Sequence, residues 1–228
     1  MVQLNKKGAD FTRTPQETVG PYLTLGLLSG DKVELKDNNL TSHGGSGQEI
    51  TIRGHLFDSQ GAPLFNVMVE IWQANSQGVF NHPAYQDREG FDPDFVGFGR
   101  DVTDERGAYQ FKTFKPGKIH ETDHPEFSQA PHVLLFVHAS GVGYPLYTRV
   151  YFEDEEHEDN FSQRLTQAEH QSLIARRVEE DDQIIYEFDM VLQGEAEELV
   201  LESKLSGEEV EDLPDGSGKP ATYFFHLV

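Results

Sequence analysis

The sequence predicts an all-β fold, an antiparallel sandwich with one short helix and long loops, and three observations carry that expectation. Apolar and polar residues alternate through the middle of the chain, turn signals recur at short intervals, and helical periodicity is scarce. Ile50, Ile52, Gly54 and Leu56 alternate with Thr51, Arg53 and His55, the pattern of a strand with one buried face. That run closes at Asp58-Ser59-Gln60-Gly61, where glycine supplies the positive φ that many turns require. Residues 67–74, 100–103, 109–113, 133–137, 146–153 and 184–192 read the same way, punctuated by Asp104-Glu105-Arg106-Gly107 and Lys115-Pro116-Gly117. So many strands without intervening helices argue against a parallel sheet with helical crossovers.

One helix is expected. Thr166 and Glu169 have the spacing of a capping box, opening a helix that should run to about Val178. Residues 36–48 are rich in Gly, Asn and Ser without periodicity and predict a mobile loop. Residues 195–220 carry nine acidic side chains and predict an exposed loop or hairpin before a final strand-like stretch at 222–225. The expected organisation is a single domain: an N-terminal arm and loop over 1–48, a sandwich core with the helix over 49–194, an acidic insertion over 195–220 and a last strand over 221–228.

The 18 Lys and Arg against 40 Asp and Glu give a net charge of -22, so the chain repels a phosphate backbone and nucleic acid is not an expected partner. The acidity is concentrated: residues 153–228 hold 22 acidic and 5 basic side chains. Such a face is either solvated or a docking surface for a basic partner. No apolar run approaches the ~18 residues of a membrane span. The absence of cysteine excludes disulfides, thiolate metal sites and a thiol nucleophile. Without an apolar signal core in the first residues, the expected location is the cytoplasm.

The common phosphate loop, nucleophile elbow and helical His pair are all missing from the sequence. His120, His124 and His132 lie close enough to suggest imidazole ligands for a metal. The competing reading is that His120 and His124 are exposed loop residues. His132, at the head of the most apolar strand, would then be a buried, hydrogen-bonded histidine.

The segments Thr14-Pro-Gln-Glu-Thr-Val-Gly-Pro-Tyr22, Val69-Glu-Ile-Trp-Gln-Ala-Asn75, Asp92-Pro-Asp-Phe95, Gly99-Arg100, Thr113-Phe-Lys-Pro-Gly117, Ala130-Pro-His132 and Tyr147-Thr-Arg-Val-Tyr-Phe-Glu-Asp-Glu155 together resemble the intradiol ring-cleavage dioxygenases. The resemblance runs in order from Thr14 to about Phe225 and implies the β-sandwich core of that family. It also implies a ferric iron held by two Tyr and two His, but the matching positions here are Phe80, Ile119, His132 and Leu134. Only His132 keeps a ligand type, and one imidazole cannot hold a hard ferric ion that also wants anionic oxygen. This chain is therefore expected to bind no metal.

That loss matches the iron-free, alpha-type subunit of the family, which pairs with a homologous beta subunit carrying the iron. By the resemblance, the assembly acts on an aromatic catechol acid with dioxygen, and this chain lends Thr18, Gly20, Pro21 and Tyr22 to the wall of its partner's active site. Ser140 stands where the alpha-type pattern has an arginine, which leaves His138, two residues earlier, as the candidate to share charge with a substrate carboxylate. Alternatives are an iron-free sandwich that acts alone as a binding or scaffold protein and a lone metalloenzyme built on His132 and the loop histidines.

Overall fold

A computed structural model describes residues 37–121, 127–140, 142, 145–192 and 214–225. Among the described residues the strands are β1 (Glu49–Phe57), β2 (Met68–Gln73), β3 (Phe98–Val102), β4 (Ala108–Phe114), β5 (His132–His138), β6 (Leu146–Phe152), β7 (Ile174–Glu180), β8 (Gln183–Glu187) and β9 (Met190–Val191), with one short α-helix, α1 (Gln167–Gln171). All belong to one continuous sheet of order β3-β2-β5-β6-β7-β8-β1-β4, with β9 on β1. Most pairings are antiparallel; β1–β8, β1–β9 and β6–β7 are parallel.

The sheet folds over at the β6–β7 junction, where only Tyr151 with Ile174 and Phe152 with Ala175 pair. Period-2 alternation then decides what is buried. Val69, Ile71, Val133, Leu135, Val137 and Val150 from one half meet Ile50, Ile52, Leu56, Phe111 and Tyr186 from the other in a single core cluster. Along β5, His132 apart, the alternate residues Leu134, Phe136 and His138 face outward and are only half-buried. This outer face of β2, β5 and β6 carries the candidate site.

Among the described residues the strand order ends at β3 and β4, and the residues just before β1 tie these two ends together. The Asp37 carbonyl accepts from Arg100 N on β3 and the Asn38 carbonyl from Lys112 N on β4, both at 2.8 Å. Leu40, only 1% exposed, plugs the core between them. Part of the 36–48 stretch read as a loop is thus a 3-10 turn, Leu40–His43, with backbone bonds on either side of the sandwich.

Two element boundaries differ from the sequence expectation. The capping box forms, with Thr166 Oγ1 accepting from Glu169 N and the Glu169 carboxylate accepting from Thr166 N. The helix nevertheless ends at Gln171 rather than near Val178, and Ile174–Glu180 is strand β7. The reason is pairing: β7 and β8 form a hairpin through Asp181 and Asp182, both at positive φ, and β7 continues the sheet from β6. The expected 184–192 strand is divided because Asp189 interrupts it, its Oδ1 accepting from His55 N at 2.8 Å in place of a ladder carbonyl.

Candidate functional site

Two loops bring the expected ligand positions 80 and 119 beside the head of β5, which carries His132 and Leu134. Asn75 ends β2 with an Asx turn, its Oδ1 accepting from Gln77 N and Val79 N, and this sets the direction of Phe80. Gly78 within that turn has φ +77, and a Cβ there would lie 1.9 Å from the Lys118 carbonyl; only glycine lets the two loops touch. Ile119 exchanges backbone hydrogen bonds with Gln129 at 3.0 and 2.9 Å, which anchors the second loop beside the head of β5.

Phe80 and Ile119 are buried in a small satellite cluster with Ala74, against which Trp72 and Tyr85 pack. The Phe80 ring lies 4.9 Å from Trp72, and Trp72 is the register partner of Leu134 across β2–β5. The positions Phe80, Ile119 and Leu134 are therefore neighbours through Trp72, and all three are hydrocarbon. An empty constellation of phenol and imidazole donors here would leave buried polar groups unpaired, at roughly 1–3 kcal/mol each; aromatic and aliphatic filling removes that penalty.

His132 is the remaining donor and is 3% exposed. Its Nδ1 donates to the Ala130 carbonyl at 2.8 Å, fixing the neutral tautomer with the lone pair on Nε2. Burial, and then the Arg149 charge, hold its pKa down to about 4. One imidazole among Phe, Ile and Leu does not fit a ferric ion, so no chemical step is assigned to iron in this chain. His120 is exposed, with its carbonyl accepting from Arg88, and His124 lies outside the described residues. Among the described residues, no three His, Asp or Glu side chains are grouped as a metal site.

Three polar residues missed in the sequence reading surround this end of the site. Arg149, the register partner of Leu134, donates from Nη2 to Gln129 Oε1 at 2.9 Å and from Nη1 to the Tyr151 hydroxyl at 3.3 Å. Its guanidinium also lies 3.5 Å from Asp159 Oδ2 and 4.3 Å from the centre of the Phe161 ring. The buried Asp159 carboxylate further accepts from Phe161 N and Ser162 N, and burial raises the Tyr151 phenol well above its ordinary pKa. The signal available in the sequence was the alternation Tyr147, Arg149, Tyr151, which sets all three on the outer face.

On the same face, His138 donates from Nε2 to Glu70 Oε2 at 3.0 Å, and Arg100 Nε donates to Glu70 Oε1 at 3.0 Å. The His138 hydrogen bond, followed by those from Arg100, lowers the Glu70 pKa against the effect of burial. Ser140 is half-buried at the turn that follows β5. Thr18, Gly20, Pro21 and Tyr22 lie outside the described residues.

A nine-stranded β sheet folded over one main core, with loops gathered beside the head of β5, is the fold of the ring-cleavage dioxygenases. Residues 21–194 match the family model described as Dioxygenase, and the chain belongs to the intradiol ring-cleavage dioxygenase family. It is 31% identical over 194 residues to the protocatechuate 3,4-dioxygenase alpha chain of Pseudomonas putida, an alignment covering 81% of this chain and 93% of that one. It is 35% identical over 154 residues to the protocatechuate 3,4-dioxygenase beta chain of Burkholderia cepacia, covering 65% of this chain and 66% of that one. The fold is shared with an intradiol ring-cleavage dioxygenase from Tetranychus urticae, with a TM-score of 0.53 at 16% identity over 68% of this chain and 85% of that one.

Proposed function

We propose that this chain is the iron-free, alpha-type subunit of a protocatechuate 3,4-dioxygenase. In this reading it lines the active site of a homologous beta subunit that opens protocatechuate to 3-carboxy-cis,cis-muconate with dioxygen. The observation that carries the reading is the burial of Phe80 and Ile119 in an apolar cluster beside Trp72, where a catalytic member needs anionic oxygen donors. The likeness to an alpha chain over most of both lengths supports it. The ferric iron belongs to the partner and supplies the centre at which catechol and dioxygen react. The part of this chain is to position substrate and exclude water, which contributes to rate without direct chemistry.

Within that reading, Thr18, Gly20, Pro21 and Tyr22 form the contributed wall, with the Tyr22 ring and hydroxyl offered to the aromatic acid. Ser140 leaves the wall without its expected cation. His138 takes that role, its proton shared with Glu70, whose second oxygen is already neutralised by Arg100. Replacing His138 by Ala is expected to weaken the assembled enzyme toward a carboxylated catechol more than toward plain catechol; equal effects on both would remove His138 from the site.

Expression with and without an intradiol beta chain tests the whole reading. The expected result is a coloured, active complex that co-purifies with this chain, and a colourless, inactive chain on its own. A lone chain that holds stoichiometric iron and opens the ring overturns the reading, and a stable colourless protein that never associates with a beta chain favours the scaffold alternative.

A further inference from the structure

We propose that the Arg149 guanidinium is the resident cation of this chain's degenerate metal site, standing in for a metal ion and closing the site to one. The inference rests on this chain's own residues and does not depend on the identity of the partner. Antiparallel register places Arg149 directly opposite Leu134, so the two side chains leave the sheet on the same face as immediate neighbours. Tyr151 is likewise opposite His132, and the two rings are 5.9 Å apart. Arg149 thus starts beside one former ligand position and reaches, through its bond to the Tyr151 hydroxyl, toward the only position that keeps a ligand nitrogen.

The groups around the guanidinium are of the kinds that coordinate hard cations. An amide oxygen (Gln129), a phenol oxygen (Tyr151) and a carboxylate oxygen (Asp159) lie at 2.9, 3.3 and 3.5 Å. In place of an ion at coordination distance they hold a planar cation through hydrogen bonds. The arrangement is buried: the Arg149 side chain is 15% exposed and Asp159 2%, and Phe161 covers a guanidinium face. Arg149 Nε is also buried and has no acceptor among the described residues. The guanidinium is therefore not a loosely held surface charge but a fixed occupant. Through Tyr151, whose hydroxyl accepts from Nη1 and whose ring centre lies 5.9 Å from that of His132, its positive charge is held near His132 and repels a second one there. A di- or trivalent ion bound to His132 Nε2 would meet the same repulsion, multiplied by its charge.

Loss of three ligands and gain of an internal cation are separable. Leu134→His restores the second imidazole of a His-x-His pair on β5, and Co(II), followed by calorimetry and visible absorption, reports whether a metal can enter. With Arg149 retained, Co(II) is expected to bind Leu134→His at least about tenfold more weakly than the same chain carrying Arg149→Gln. Arg149→Lys, which keeps the charge but not the planar fork, should stay close to the Arg149 chain. Adding His132→Ala must abolish binding in every background, which locates the ion. Arg149→Met serves as a second neutral side chain in case Gln leaves Asp159 poorly compensated, with circular dichroism and the thermal midpoint establishing that each variant is folded. Equal Co(II) affinity with Arg, Lys and a neutral residue at 149, a Lys variant that binds as tightly as the neutral ones, or no binding in either folded neutral variant overturns the proposal.

Discussion

Acidification tests the burial of His132. Its pKa falls from 6.5 to about 4 on folding, with burial as the first cause, so the folded chain refuses a proton that the unfolded chain accepts. Above pH 6.5 both states are neutral at this ring and the full stability is present. As pH drops from 6.5 toward 4, the unfolded state gains protons and stability is lost. At 1.36 kcal/mol per pH unit, the loss reaches about 2 kcal/mol by pH 5 and about 3 kcal/mol once both states are protonated. The half-buried Glu70 and Asp189 do not cloud this window, because folding lowers their pKa values from values already below 5; their contribution is lost only at lower pH. Urea titrations at about pH 7.5, 6 and 5, for the natural chain and His132→Phe, measure the effect by linear extrapolation. The natural chain should lose stability across the series and the variant should lose much less. A natural chain as stable at pH 5 as at pH 7.5, or a variant with an undiminished slope, refutes the account of His132 as a buried neutral ring.

Leu40→Ala removes the fully buried side chain of the segment that ties β3 to β4; a loss of about 2–5 kcal/mol is expected by chemical denaturation, and a change below about 0.5 kcal/mol would mean that this segment carries no load. Thr103→Val deletes a buried hydroxyl that donates to the Leu64 carbonyl and accepts from Val67 N. Leaving both backbone groups unpaired should lower stability by roughly 1–3 kcal/mol with little change in circular dichroism.

Much of the sheet was legible because burial on one face imposes a period of two. β1, β2, β4, β5 and β6 follow their alternation to within a residue or two. β7 was not legible as a strand: Thr166 and Glu169 announced a helix correctly, and nothing local says that it ends after one turn. That ending is set by pairing with β6 and β8, a tertiary effect that overrides propensity. The Asp181-Asp182 turn, flanked by Val178 and Ile184, was the available hairpin signal.

The candidate site divides in the same way. His132 as a buried, hydrogen-bonded residue could be read from its place beside an apolar strand. Phe80 and Ile119 have no chemistry of their own and gained meaning only from the resemblance to a family. Arg149 and Asp159 escaped because the register between β5 and β6, and the return of the 159–162 turn beneath it, are properties of the pairing and not of either strand alone.

The segment at Asp37 to Leu40 has a consequence for how this protein avoids its own kind. A sheet folded over without closing leaves two rows of unsatisfied amides and carbonyls, which are templates for a neighbouring molecule's strand. Here a single stretch of chain occupies part of both rows, at Arg100 and at Lys112. Those few residues upstream of the first strand shield part of both edges, and removing them is expected to increase edge-to-edge self-association at high concentration even if the core survives.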